Sequence, residues 1–153
     1  GGLGAKVVPA PAGFALSQAA DVHNGPMNAA RFNQHMGTPN LAASLHFVRG
    51  YDVTYDSNTG SDSIEVTLFQ FATAADATAF KAGYVPGGPI NSRSDPGIPG
   101  ADDYDSTSPN QGTYDHGVVA TKGNLAFVID DATGSAAPAP LVEKMARQQY
   151  AAL

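Results

Sequence analysis

In "LHFVRGYDVTY", residues 45–55, apolar and polar positions alternate: Leu45, Phe47, Tyr51, Val53 and Tyr55 fall on one side, His46, Val48, Asp52 and Thr54 on the other. That is the period of a strand with one buried face. "DSNTGSD" follows with turn chemistry, and "SIEVTLFQF" puts Ile64, Val66 and Leu68 on a common side. The two runs predict a hairpin. "VVATKGNLAFVID" predicts a second hairpin turning at Gly123-Asn124, and Phe14-Ala15-Leu16 a short leading strand.

Three segments change to the helical period. Gly25-Pro26 followed by "MNAARFNQHM" and Gly37 predicts a helix with proline at its first position and glycine past its end. Its core contacts would be Phe32 and Met36. Thr73-Ala74-Ala75-Asp76 has the form of a capping box and opens a helix running to Ala82, with Ala77, Phe80 and Tyr84 inward. Pro138 or Pro140 opens the last helix, "LVEKMARQQYAAL". Residues 85–112 are so rich in proline and glycine that a long loop without regular structure is expected there.

Residues 1–12 read as a flexible leader and 13–153 as a single α+β domain. The expected fold is a sandwich in which an antiparallel sheet of about five strands, built from two hairpins, carries three helices.

Composition narrows the chemistry. Charged residues make up only 14% of the 153, and eight basic against fourteen acidic residues give a net charge of −6. Without a lysine or arginine cluster, nucleic acid and anionic membranes are poor partners. With no cysteine, disulfides, thiolate catalysis and Cys-ligated metals are excluded. No apolar run has the length of a transmembrane helix. No nucleophile elbow, P-loop, dinucleotide-binding glycine motif or H-E-x-x-H is present, and no cofactor is implied.

Weaker candidates remain. "DVHNGPMNAARFNQHMG" gathers His23, Met27 and His35, a metal set only if the fold brings them together. Asp56, Asn58 and Asp62 stand at alternate positions around Gly60, as calcium ligands do, but Thr67 occupies the place of the closing glutamate. "ADDYDST" holds Asp102, Asp103 and Asp105, read as a solvated loop. Asp115 and His116 are chain neighbours and on a strand would face opposite ways, so they make no relay. Tyr84, Tyr104 and Tyr114 flank or occupy the long loop together with Arg93, a composition suited to ligand recognition.

"PAPAGF", "GPMNAARF", "GYDVTYDSNTGSDSIEVTLFQFATAADATAF", "PGIPGADD", "VVATKGNLAFVI" and "ARQQYAAL" resemble a group of actinobacterial secreted proteins and lipoproteins of unknown function, similar in turn to the PsbP-like α/β sandwiches. The resemblance spans most of residues 9–153 and rests on structural motifs, so no catalytic residue carries over. It implies an exported domain, often lipid-anchored through a cysteine that this chain lacks.

The expectation is a non-enzymatic extracytoplasmic binding or interaction module of a bacterial envelope or secretome. Its partner would be an envelope protein, a glycan or a small apolar ligand. The alternatives are a hydrolase with a dispersed site, a metal-binding protein using His23, His35 and Met27, and a structural component of an envelope assembly.

Overall fold

A computed structural model describes residues 1–84, 89–95, 97–135 and 140–153. In chain order the elements are a 3-10 turn (Leu3–Lys6), β1 (Phe14–Leu16), β2 (Gly25–Met27), α1 (Ala29–Met36), α2 (Leu41–Ser44), β3 (Phe47–Ser57), β4 (Asp62–Phe71) and α3 (Ala74–Gly83). Then follow β5 (Ile90–Ser94), β6 (Asp102–Ser106), β7 (Tyr114–Lys122), β8 (Leu125–Thr133) and α4 (Pro140–Ala152). Among the described residues the strands form one antiparallel sheet of eight, ordered β1-β3-β4-β8-β7-β6-β5, with β2 also paired to β3. The hairpins expected from the sequence are thus β3–β4 and β7–β8, laid side by side by the β4–β8 pairing.

The expected count of about five strands is corrected to eight among the described residues. β5 and β6 lie inside the segment 85–112 that was expected to be structureless. Their residues, "INSRS" and "DDYDS", carry little apolar periodicity, because β5 is an exposed edge and β6 buries carboxylates, of which Asp105 is held by Arg93 and His116. β2 occupies Gly25–Met27, where the helix was expected to begin; Asn28 caps α1 instead, its side chain accepting from the Arg31 N–H at 2.9 Å. Proline at a short edge strand needs no ladder donor.

The first residues pack against the sheet and α4. Leu3 and Val8 are buried, and the Tyr55 hydroxyl donates to the Val8 carbonyl at 2.7 Å. Gln149, fully buried on α4, accepts from the Val8 N–H at 3.0 Å and donates to the Lys6 carbonyl at 2.8 Å. The Lys6 ammonium reaches the carbonyls of Ala152 and Leu153, both at 3.5 Å.

Two cores form, one on each sheet face. Val53, Tyr55, Ile64, Val66, Leu68, Val118, Ala120, Phe127 and Ile129 pack under Val8 and under Val142, Met145 and Ala146 of α4. On the other face Phe69, Phe71, Val119, Ala126 and Val128 pack under Met27, Phe32 of α1, Ala42 of α2, and Ala77 and Phe80 of α3. A register shift between Phe47 and Arg49 turns Phe47 onto this second face, where its ring stacks on Phe32 at 4.3 Å. The single alternation expected through 45–55 therefore reverses at the bulge, leaving Val48 exposed.

Candidate functional site

The second face divides along its strands. At one end aromatic residues fill the space under α1, α2 and α3, and beyond them the strands carry acids. Register places Asp52 opposite Thr67, Glu65 opposite both Thr54 and Asp130, Asp56 opposite Ser63, and Asp115 opposite Ala132. These positions share one face because each is an even number of residues from Phe69, Val119, Val128 or Gly50 on its own strand. Asp52 is 2% exposed, whereas Glu65, Asp56, Asp115 and Asp130 all keep access to solvent.

Four chain segments bring titratable groups together at the border between the two halves. Phe32, anchored among Phe47, Phe69, Phe71 and Phe80, fixes α1, and His35 lies one turn further along it. His35 Nε2 stands 3.7 Å from Glu65 Oε1. Thr67 Oγ1 lies 3.0 Å from Asp52 Oδ1, to which it donates, and 3.5 Å from Glu65 Oε1. One donor atom from each of His35, Asp52 and Glu65 falls within 4.8 Å of the others. His23 precedes β2, where Asn24 fastens the chain by accepting from the Thr54 N–H at 2.7 Å and donating to the Ser17 carbonyl at 3.1 Å.

The electrostatics follow from burial. Burial lowers the His35 imidazole, with the Asp52 charge opposing, and raises Asp52 against the pull of His35 and Thr67. Glu65 is pushed up to about 7 by burial and by the nearby Asp52 charge. Arg31 bears on all three groups, and its buried Nε, like the buried Nδ1 of His23, has no hydrogen-bond partner among the described residues.

Further across the same face the Tyr104 hydroxyl donates to Asp130 Oδ2 at 2.5 Å. The Tyr104 ring passes over Gly117, where a Cβ would collide with it. Tyr84, at the end of α3, packs its ring 6.3 Å from that of Tyr104, and burial pushes its phenol up to about 12. Burial and the neighbouring Asp115 charge raise Asp130 well above the usual carboxylate range.

The residues singled out from sequence divide accordingly. Tyr84 and Tyr104 meet on the acid-lined face. Arg93 lies on the opposite face, paired with Asp105 and, at 2.9 Å, with Glu143 of α4, and Tyr114 opens β7 half-buried on that same opposite side. His23 lies near enough to His35 for its charge to bear on that imidazole, whereas Met27 is sealed in the phenylalanine core, away from any ligand set. Asp56 and Asp62 line a cavity of about 460 Å³ at the β3–β4 turn, which Asn58 does not line. Each of these carboxylates already accepts from a hydroxyl, Asp56 from Ser63 and Asp62 from Thr133.

Asp52 and Glu65 were not singled out from sequence, since in an alternating strand they read as the solvent side. The detectable signal was two acids on the polar positions of paired strands beside threonines. On the first face His116 pairs not with Asp115 but with Asp105 across the ladder, Nδ1 to Oδ1 at 2.7 Å, and its Nε2 lies 2.9 Å from the Ser135 carbonyl. Both ring nitrogens are engaged, which leaves neither in position to serve as a general base.

No protein-family model matches the chain, and no curated protein matches it in sequence. Among solved structures it is similar to the extracellular domain of PknH from Mycobacterium tuberculosis, with a TM-score of 0.64 and 8% identity over 97% of this chain and 93% of that one. At that identity the likeness is one of fold.

Proposed function

We propose that the chain is a non-enzymatic extracytoplasmic binding module whose recognition surface is the acid-lined half of the second sheet face. The observation that carries this reading is the concentration of Asp52, Asp56, Glu65, Asp115 and Asp130 on one face, where the covering helices stop. Burying like charges together disfavours folding, and such clusters recur where a ligand supplies the missing counter-charge. The matching ligand is cationic or presents a cationic group, which the Tyr84 ring at the border could also face.

The fold shared with an extracellular domain supports placement outside the cytoplasm, as does the resemblance to actinobacterial secreted proteins and lipoproteins. A small apolar ligand is a poorer fit. The apolar cavity between α2 and α3, lined by Leu41, Leu45, Phe80 and Tyr84, holds only about 100 Å³, against roughly 300 Å³ for the smallest usual ligand sites.

The test is native mass spectrometry of the protein purified from its own host without chelator, beside protease treatment of intact cells carrying a tagged copy. A retained mass that disappears from the Glu65→Gln/Asp130→Asn double variant, with digestion of the tagged copy, supports the reading. A bare mass for the wild type, or full protection of the tag, overturns it.

A further inference from the structure

We propose that His35, Asp52 and Glu65 form a binding site for a divalent first-row transition ion of the zinc type. This rests on reading the acid-lined face as the binding surface and names the class of its ligand. One imidazole nitrogen and two carboxylate oxygens converge from three separate elements, α1, β3 and β4, within 4.8 Å of one another. Donors held at about 2.0–2.2 Å from a shared ion lie roughly 3–3.5 Å apart. The His35–Glu65 separation of 3.7 Å is close to that, and Glu65, the more exposed member at 41%, has room to close the set.

The surroundings agree with the assignment. Asp52 Oδ1 is held by the Thr67 hydroxyl, the kind of outer contact that orients a ligand carboxylate. Against the two carboxylates the neighbouring fixed cation is Arg31, so a divalent ion balances charge that the protein leaves uncompensated. His23, whose buried Nδ1 has no hydrogen-bond partner among the described residues, lies near enough for its charge to bear on both His35 and Asp52. An imidazole in the set favours zinc, cobalt or nickel over calcium and magnesium, which prefer oxygen alone.

The experiment uses the full chain after chelator treatment, titrated with zinc chloride by calorimetry and thermal unfolding, with calcium and magnesium chloride in parallel. Zinc is expected to raise the unfolding midpoint on the order of 5 °C at a hundredfold excess over Kd. His35→Gln and Glu65→Gln, both at partly exposed side chains, should each weaken zinc binding about tenfold or more. X-ray absorption should show nitrogen and oxygen neighbours at about 2.0–2.2 Å. No zinc response, an equal response to calcium, or unchanged affinity in both variants would overturn the assignment. If zinc fails while the host-purified protein retains an organic mass that Glu65→Gln releases, the metal assignment falls and the binding-module reading stands. If neither is found, both fall.

Discussion

Tyr104 on β6 reaches across β7 to hydrogen-bond Asp130 on β8, and Gly117 is the residue that lets it pass. The phenol fills the space a side chain at 117 would take. Gly117→Ala should therefore cost at the upper end of about 1–3 kcal/mol, as an overpacked site does. Tyr104→Phe keeps the ring and should cost about 1–2 kcal/mol through the lost partner of Asp130. Urea unfolding of the two variants checks the order; a Gly117→Ala protein as stable as wild type would contradict the placement of the ring.

Gln149 substitutes for a strand or helix partner by serving both an N–H and a carbonyl of residues 6–8. Gln149→Leu fills similar volume but orphans both groups, at roughly 1–3 kcal/mol each. Deleting residues 1–8 should likewise lower the urea midpoint, because the Tyr55 hydroxyl loses its acceptor and Leu3 and Val8 leave the core. Unaltered stability of the shortened chain would mean that this segment contributes no net packing.

Stability should fall as pH rises from about 5 to 8. Asp131 is pushed up to about 7, first by burial and then by Asp62, and Asp103 is pushed up to about 6 by burial and by Asp95. Unfolded, both titrate near ~3.9. Between those values the folded state holds more protons than the unfolded one, so the unfolding free energy decreases as pH increases. His116 acts in the same direction. Burial opposes its charge, but the Ser135 carbonyl and Asp105 hold its pKa above the usual imidazole value, and that contribution is lost as pH rises through the folded value. Asp105, held low by Arg93 and His116 against burial, loses its contribution only in more acid solution. Asp131→Asn should flatten the dependence in urea titrations at several pH values, and a slope left unchanged would contradict this account.

In metal-free protein Asp52→Asn should raise the thermal midpoint by a few degrees. The amide oxygen can still accept from Thr67, while the buried charge that pushes Glu65 upward is gone. A midpoint lowered by the substitution would mean that Asp52 holds the fold together and does not trade stability for binding.

Much of this fold was legible because period and punctuation agreed. Ile64, Val66 and Leu68 share a core face, Thr73 and Asp76 close the expected capping box, and the β7–β8 turn falls at Gly123-Asn124 with Gly123 at φ 61°. What escaped was structure held by long-range polar pairing. β6 carries Asp105, which reads as solvated until Arg93 and His116 arrive from other strands. The site was half legible in the same sense. Of the candidate ligands His35 stood out in the sequence, but Asp52 and Glu65 sit where polar residues of a two-sided strand are expected, and only helices on both faces make them unusual.

The Lys6 contacts with Ala152 and Leu153 bring the two ends of the chain together on the α4 side of the sheet. Residues 3–8 and α4 thus close one sheet face between them, with Leu3 and Val8 buried beneath the polar contacts. The carboxylates Asp52, Glu65, Asp115 and Asp130 belong to the opposite face, so what fastens the chain's first residues to its last helix and what gathers the acids are separated by the full thickness of the sheet.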